Sequence, residues 1–366
     1  MKVCVYAICK NEEQFVDRWM DSVGEADLVV VLDTGSTDGT VERLRLRGAL
    51  VTVEEISPWR FDTARNRSLE LVPKDVDICV CTDLDEVFHP GWREKLERVW
   101  ADGVSQASYR YTWSFLENGR EGHVFWIEKI HQRHGFVWTH PVHEVLTWNG
   151  PGVRGKRVWA EGVQLDHYPD HTKSRGQYLP LLELSVKEDP EDDRNTHYLG
   201  REYLYHGRWD ECIATLKRHL SLPSAKWADE RSASMRYIAR AYLEKGERET
   251  ARNWYLSAIV QAPHLREGYL DLARLLYDGE EWDGVLYFTG CALNITDRPR
   301  SYISEGESWG SLPHDLRCIA FYRTGRLEQA LEEGKKARAM EPGHERLCNN
   351  VKLLEGMLEI SPPESE

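Results

Sequence analysis

Asp75-Val-Asp-Ile-Cys-Val-Cys-Thr-Asp-Leu-Asp-Glu86 decides how the rest of this chain is read. Val76, Ile78, Val80 and the two cysteines, Cys79 and Cys81, make an apolar run of the length a buried strand needs. That run empties into Asp83-Leu84-Asp85-Glu86, three carboxylates within four residues. Like charges this close disfavour one another's ionised forms, so at the end of a buried strand they need a cation or a donor-rich ligand. The plain alternative is a surface turn, with Pro90 and the polar run after it opening a helix. The sharper reading is a divalent metal site holding the phosphates of a nucleotide.

Upstream, strand and helix patterns alternate. Lys2 to Cys9 reads as a first strand, stopped by Asn11-Glu12-Glu13, and Glu12 to Val23 as an amphipathic helix with Phe15, Trp19 and Val23 four apart. Ala26 to Leu32 is a second buried strand. It ends in Asp33-Thr34-Gly35-Ser36-Thr37-Asp38-Gly39-Thr40, where the glycines permit tight turns and Thr37 or Asp38 can cap a helix to Leu46. Val51 to Ile56 follows as a strand, then Asp62 to Leu71 as a helix carrying Arg65 and Asn66 on its polar side. Such alternation with short connections predicts an α/β domain, a mostly parallel sheet flanked by helices. Ligands of such sheets bind beyond the carboxyl ends of the strands, where strand order brings Asn11, Glu12, Asp33, Asp83 and Asp85. Neither a dinucleotide-type glycine loop nor a Gly-Lys-Ser/Thr phosphate loop follows the first strand, so carboxylates and a metal must do that work.

Between residues 100 and 185, Gln106 to Trp113 and Val124 to Gln132 read as a hairpin about a Glu117-Asn118-Gly119-Arg120 turn. His131, His134, His140 and His143 then come in quick succession, but without cysteine or a structural zinc spacing. Val163 to Tyr168 is another strand ending in polar groups, Asp166 and His167.

Ala7-Ile-Cys-Lys-Asn-Glu-Glu13, Val31-Leu-Asp-Thr-Gly-Ser-Thr-Asp-Gly-Thr40, Phe61-Asp-Thr-Ala-Arg-Asn66 and Asp83-Leu-Asp-Glu86, in that order, resemble the family 2 glycosyltransferases of the GT-A fold. With Arg133 to Val145, similar to a segment ending in His-Glu in one branch of that family, the resemblance spans roughly residues 1 to 185. It implies that the segment Ala7 to Cys9 touches the base, Asp33 the uracil or ribose side, and Arg65 the base or diphosphate. It implies that Asp83 and Asp85 bind the ribose and Mg²⁺ or Mn²⁺, with His167 completing the metal site. An inverting transfer needs a base for the acceptor's proton, for which Glu144 is the first choice, oriented by His143, and Asp166 the second. Lys173 and Arg175 are placed where a closing loop brings them to the diphosphate.

Past the acidic run Glu188 to Asp193 the pattern becomes helical. Four helix–turn–helix units turn at Gly207, Gly246, Gly279 and Gly325 and close at or near a proline. Ala239, Tyr242, Gly246, Ala251, Tyr255, Ala258 and Pro263 resemble a tetratricopeptide repeat, and Cys318, Phe321, Ala330, Ala337 and Pro342 repeat the scheme. Asp297 to Pro313 breaks the period and reads as a surface loop. The expected organisation is a catalytic domain over 1–185, an all-α TPR-like solenoid over 186–357 and a flexible tail over 358–366.

Charged residues make up 30% of the 366, with a formal net charge of -14, which argues against sequence-blind binding of nucleic-acid backbone. No run approaches a membrane span, no signal-peptide cleavage pattern follows Met1, and the eight scattered cysteines fit reduced thiols in the cytoplasm. The reading is a metal-dependent, inverting glycosyltransferase. It takes a UDP-linked hexose or N-acetylhexosamine to a hydroxyl or thiol of a peptide, protein or glycan, and the repeat offers a protein-binding or homodimer surface. The competing readings are a nucleotidyltransferase on the same sheet and a catalytically inactive TPR scaffold.

Overall fold

The computed structural model describes residues 1–116, 119–170 and 176–360. It contains two compact units, Met1–Phe115 with Val124–Asp189, and Leu116–His123 with Pro190–Glu366.

In the first unit the strands are β1 (Val3–Cys9), β2 (Leu28–Asp33), β3 (Leu50–Val53), β4 (Ile78–Cys81), β5 (Glu86–Phe88), β6 (Val104–Thr112), β7 (Val124–Gln132), β8 (Phe136–Thr139), β9 (Val145–Trp148) and β10 (Lys156–His167). Among the described residues these are accompanied by the helices α1 (Val16–Val23), α2 (Thr40–Leu46), α3 (Phe61–Leu71), α4 (Trp92–Val99) and α5 (Tyr178–Glu188). Eight strands form one sheet in the order β3-β2-β1-β4-β7-β6-β10-β5, and β8 and β9 pair separately. The first four are mutually parallel, β7 runs antiparallel between β4 and β6, and β10 runs parallel to β6 and antiparallel to β5.

The local reasons are legible in the residues. β1 is buried along its whole length, as a central parallel strand covered on both faces must be. Val16, Trp19, Met20 and Val23 give α1 one apolar face, and the Trp19 indole N–H donates to Thr82 Oγ1 at 3.0 Å, just before the acidic segment. A short 3₁₀ turn, Glu13–Phe15, precedes α1, so its start lies later than Glu12. Asp38 accepts from the backbone N–H of Thr40 at 3.0 Å and so serves the start of α2, while Thr37 is tied instead to Asn11. All eight cysteines are free thiols.

Behind the sheet edge, the Trp138 indole donates to Tyr6 Oη at 2.9 Å, and Tyr6 Oη lies 2.8 Å from His131 Nε2. His131 Nδ1 meets the Gln132 carbonyl at 2.7 Å, so Nδ1 carries the proton and Nε2 accepts from the tyrosine. This chain of bonds requires a neutral imidazole, and burial pushes the His131 pKa down to about 4. His131 and His134, which meets the Lys74 carbonyl at 2.9 Å, thus have separate partners.

The second unit stacks α6 (Asp193–Tyr205) on α7 (Trp209–Ser221), α8 (Ala228–Glu244) on α9 (Arg248–Gln261), α10 (Arg266–Asp278) on α11 (Trp282–Leu293), and α12 (Leu312–Arg323) on α13 (Leu327–Met340). A last helix, α14 (Glu345–Ile360), packs on α13 through Leu347, Val351 and Leu354. The four expected units are therefore present, with α14 as an addition that includes the start of the expected tail; residues 361–366 lie outside the described residues. Gly207, Gly246 and Gly325 take left-handed φ of 69°, 79° and 77° at their turns; in the third unit Glu280 takes that role, with φ 56°. The segment 297–313 is not a surface loop. Ile303 and Ser304 are buried in it, and the Glu305 carboxylate accepts from Arg236 at 2.8 Å and Arg240 at 3.3 Å.

Two measurements test these packing arguments. A Cβ added at Gly200 on α6 would stand 2.3 Å from Leu216 Cδ2 on α7. Gly200→Ala should therefore lower Tm by several degrees, because overpacking by about 1–3 kcal/mol outweighs the better helix propensity of alanine. For His131, whose folded pKa is depressed, protonation favours the unfolded chain. Its contribution is full above about pH 6.5 and falls as pH drops towards 4, by about 2 kcal/mol between pH 7.5 and 5. Urea denaturation at those two pH values should show a steeper acid loss in the wild type than in His131→Gln.

Candidate functional site

The carboxyl ends of β1, β2 and β4 point their last residues and following loops to one side of the sheet. At β2, Asp33 is fully buried; Oδ1 accepts from the Gly35 and Ser36 amides at 3.0 and 2.8 Å, and Oδ2 from Ser36 Oγ and from Cys9 Sγ at 3.4 Å. This carboxylate shapes the turn, with Gly35 in the left-handed region at φ 105°. Ala7 is buried within β1. Asn11, itself left-handed at φ 55°, bonds Ser36 Oγ and the Thr37 amide at 2.8 Å each, and the Glu12 amide donates to Thr40 Oγ1 at 2.8 Å. The loops after β1 and β2 are thereby laced together.

The acidic segment after β4 meets a buried guanidinium. Arg65, on the inner face of α3, donates through Nη2 to both oxygens of Asp83 at 2.9 and 3.1 Å and through Nε to Glu144. Lys129 on β7 adds Nζ contacts to Asp83 at 3.3 Å and to Glu86 at 3.0 Å. Glu86 is buried and also accepts from Tyr111 Oη at 2.7 Å and from the Asp83 amide at 2.9 Å. Burial alone would raise the Asp83 pKa, but Arg65 and Lys129 hold it well below the usual carboxylate range. Burial likewise acts against the charges of Arg65 and Lys129, and their acidic neighbours keep both well above their ordinary values.

Asp85 stands apart from that cluster. Antiparallel pairing of β10 with β5 sets His167 opposite Glu86, which brings His167 Nε2 to 3.3 Å from the Asp85 carboxylate. His167 Nδ1 meets the Trp113 carbonyl at 2.9 Å, and its ring stacks on the Trp113 indole at 4.5 Å. The carbonyl takes the Nδ1 proton, leaving Nε2 either as a lone pair or, in the imidazolium, as a second donor. Burial lowers the His167 pKa, but Asp85 outweighs it and the net shift is upward. A carboxylate and an imidazole lone pair at this spacing, with the far nitrogen tied to a carbonyl, suit a divalent cation such as Mn²⁺ or Mg²⁺.

The residues expected from sequence thus fall into groups. Arg65, Asp83 and Glu144 come together, as do Asp85 and His167. His143 is next to Glu144, takes φ 49° and has its ring 5.8 Å from Tyr178; His140, at φ 78°, is also left-handed. Such strain in histidine clusters at functional loops. Asp166 does not join them. Strand alternation turns it to the face opposite His167, where its carboxylate meets His89 Nε2 at 2.8 Å and Gln164 Nε2 at 3.0 Å. Lys173 and Arg175 lie outside the described residues. Sequence reasoning missed Lys129 and Tyr111. The available signal was a lysine flanked by apolar residues in Val124-Phe-Trp-Ile-Glu-Lys-Ile130, a strand position where a cation requires partners.

Residues 4–152 match the family described as glycosyl transferase family 2. A comparison with curated proteins finds no match. Among solved structures the chain is similar to pilF of Pseudomonas aeruginosa, at 12% identity over 49% of this chain and 72% of that one, with a TM-score of 0.38. It is also similar to MamA, at 17% identity over 46% and 85% with a TM-score of 0.36, and to a thermophilic TPR protein of Thermus thermophilus, at 20% identity over 49% and 91% with a TM-score of 0.36. The residues that match the family model include the acidic segment and its guanidinium partner, Arg65.

Proposed function

We propose that the sheet unit is an inverting glycosyltransferase using a UDP-linked hexose or N-acetylhexosamine, with a hydroxyl or thiol of a peptide, protein or glycan as acceptor. The observation that carries this is the pair Asp85 and His167, 3.3 Å apart at the strand ends, beside an Asp83 already neutralised by Arg65 and Lys129. With Asp83 so engaged, Mn²⁺ or Mg²⁺ falls to Asp85 and His167. When bound, the ion offsets charge on the departing diphosphate. The loops laced by Asn11, Ser36 and Asp33 shape the nucleotide side, and Lys129 and Arg65 supply fixed positive charge near it.

Glu144 takes the proton from the acceptor's nucleophilic atom as that atom attacks the anomeric carbon opposite the leaving diphosphate. Arg65 holds Glu144 through one carboxylate oxygen, so the other is available to the acceptor. The bond to the sugar forms as the bond to the diphosphate breaks, and the proton leaves on Glu144. The helical unit is the part suited to hold a protein-borne acceptor.

A screen of nucleotide sugars for slow hydrolysis with Mn²⁺ identifies the donor without an acceptor in hand. UDP with Mn²⁺ should raise Tm, since a ligand bound to the folded state stabilises it. Asp85→Asn should remove that rise. Glu144→Gln should keep it while transfer falls by about 10²–10⁴-fold. No rise in the wild type would leave the scaffold reading in its place, and normal transfer by Glu144→Gln would dismiss Glu144 as the base.

A further inference from the structure

The helical unit contains a second convergence of ligand-type side chains, from three successive helices. Asp193 opens α6, His219 lies in the last turn of α7, and Glu230 lies in the first turn of α8. One donor atom from each lies within 4.8 Å of the other two. His219 Nε2 is 3.3 Å from Glu230 Oε1, which is the edge of a tetrahedron whose bonds are about 2.0–2.1 Å long. Tyr302 Oη donates to the other oxygen, Oε2, leaving Oε1 directed at the histidine.

The surroundings resemble the outer shell of a metal site. Ser234 Oγ is 2.9 Å from His219 Nδ1 and 2.7 Å from His197 Nδ1. A hydroxyl has one proton, so it can donate to only one of these nitrogens, and the other ring must donate to it. If His219 donates through Nδ1, its Nε2 presents a lone pair to the carboxylates, which only a cation makes favourable. His197 is fully buried one turn beyond Asp193, with its ring 5.5 Å from that of His219, and its Nε2 has no hydrogen-bond partner among the described residues.

We propose that Asp193, His219 and Glu230 bind one divalent cation, Zn²⁺ by their donor set, with water as the fourth ligand. The ion clamps α6, α7 and α8 and sets the direction of the His219–Ser234–His197 hydrogen bonds. This site is independent of the proposed Asp85–His167 pair.

The test uses the full chain carrying Asp85→Asn, so that the sheet site does not contribute, stripped with a chelator and titrated with Zn²⁺. Tm should rise and saturate at one zinc per chain, as counted by elemental analysis. Adding Asp193→Asn removes a ligand and, in the stripped protein, a carboxylate repelled by Glu230. The stripped double variant should melt close to its Asp85→Asn parent, whereas its zinc affinity should be at least about tenfold weaker and its gain on titration correspondingly lost. The proposal is overturned by an absent zinc shift, by an undiminished shift in the double variant, or by several weakly held ions without a saturating one. A failure of the glycosyltransferase reading leaves these outcomes unaffected.

Discussion

The site in the sheet unit depends on one buried cation, the guanidinium of Arg65. Its Nη2 engages Asp83 and its Nε engages Glu144, so a helix residue connects the loop after β4 to the loop before β9. Removing one partner from such a buried arrangement costs about 3–5 kcal/mol, because the other charge is left in a poor solvent. Planarity matters as well. A guanidinium can address two carboxylates in fixed directions, which a lysine ammonium at the same place could not. Asn66 on the same helix exchanges bonds with the Trp138 backbone at 2.8 Å in each direction, so α3 is fastened to β8 beside the guanidinium. The directions of Asp83 and Glu144 thereby become properties of the fold.

That constraint changes the meaning of the acidic segment. Three carboxylates in four residues suggest joint ligation of an ion, yet the structure distributes them among different tasks. Asp83 is held by Arg65 and Lys129, and Glu86 is buried beneath Lys129 and Tyr111. Only Asp85 is paired with an imidazole alone among these carboxylates' described ion-pair partners. The repulsion that made the segment conspicuous is thus offset by two fixed cations, leaving Asp85 with His167 outside that cluster. Strand register made that pairing: a shift of one residue between β10 and β5 would have presented Asp166 instead.

Sequence patterns revealed most of the scaffold because its parts obey local rules. The parallel core shows as continuous apolar runs, and the repeats show as alanines and glycines at helix crossings and turns. The site was only partly legible. Asp83 could be named from its place at a strand end and Arg65 and Glu144 from the family resemblance, but no local rule says that one arginine joins the two acids. Asp33 could be read two ways from sequence, because a turn-shaping aspartate and a ligand-binding aspartate look alike at a strand end. Lys129 escaped notice because its meaning depends on a neighbouring strand. The segment 297–313 looked like surface for a similar reason: its half-buried glutamate is held by arginines more than fifty residues earlier in the chain.

Buried ionic braces recur in the helical unit, which bears on what the brace in the sheet unit means. Arg236 bonds Asp271 at 2.7 Å and Glu305 at 2.8 Å, and thereby joins α8, α10 and the segment before α12. A guanidinium between two acids is therefore a structural device in this chain, and by itself identifies no chemistry. The sheet unit differs in what surrounds the device. Its acids stand at the strand ends, with left-handed His143 next to Glu144 in the chain and with Asp85 beside a histidine whose other nitrogen is held by a carbonyl. Strain and a fixed imidazole offer little to stability, and their coincidence at the carboxyl edge of a parallel sheet favours ligand binding over bracing alone.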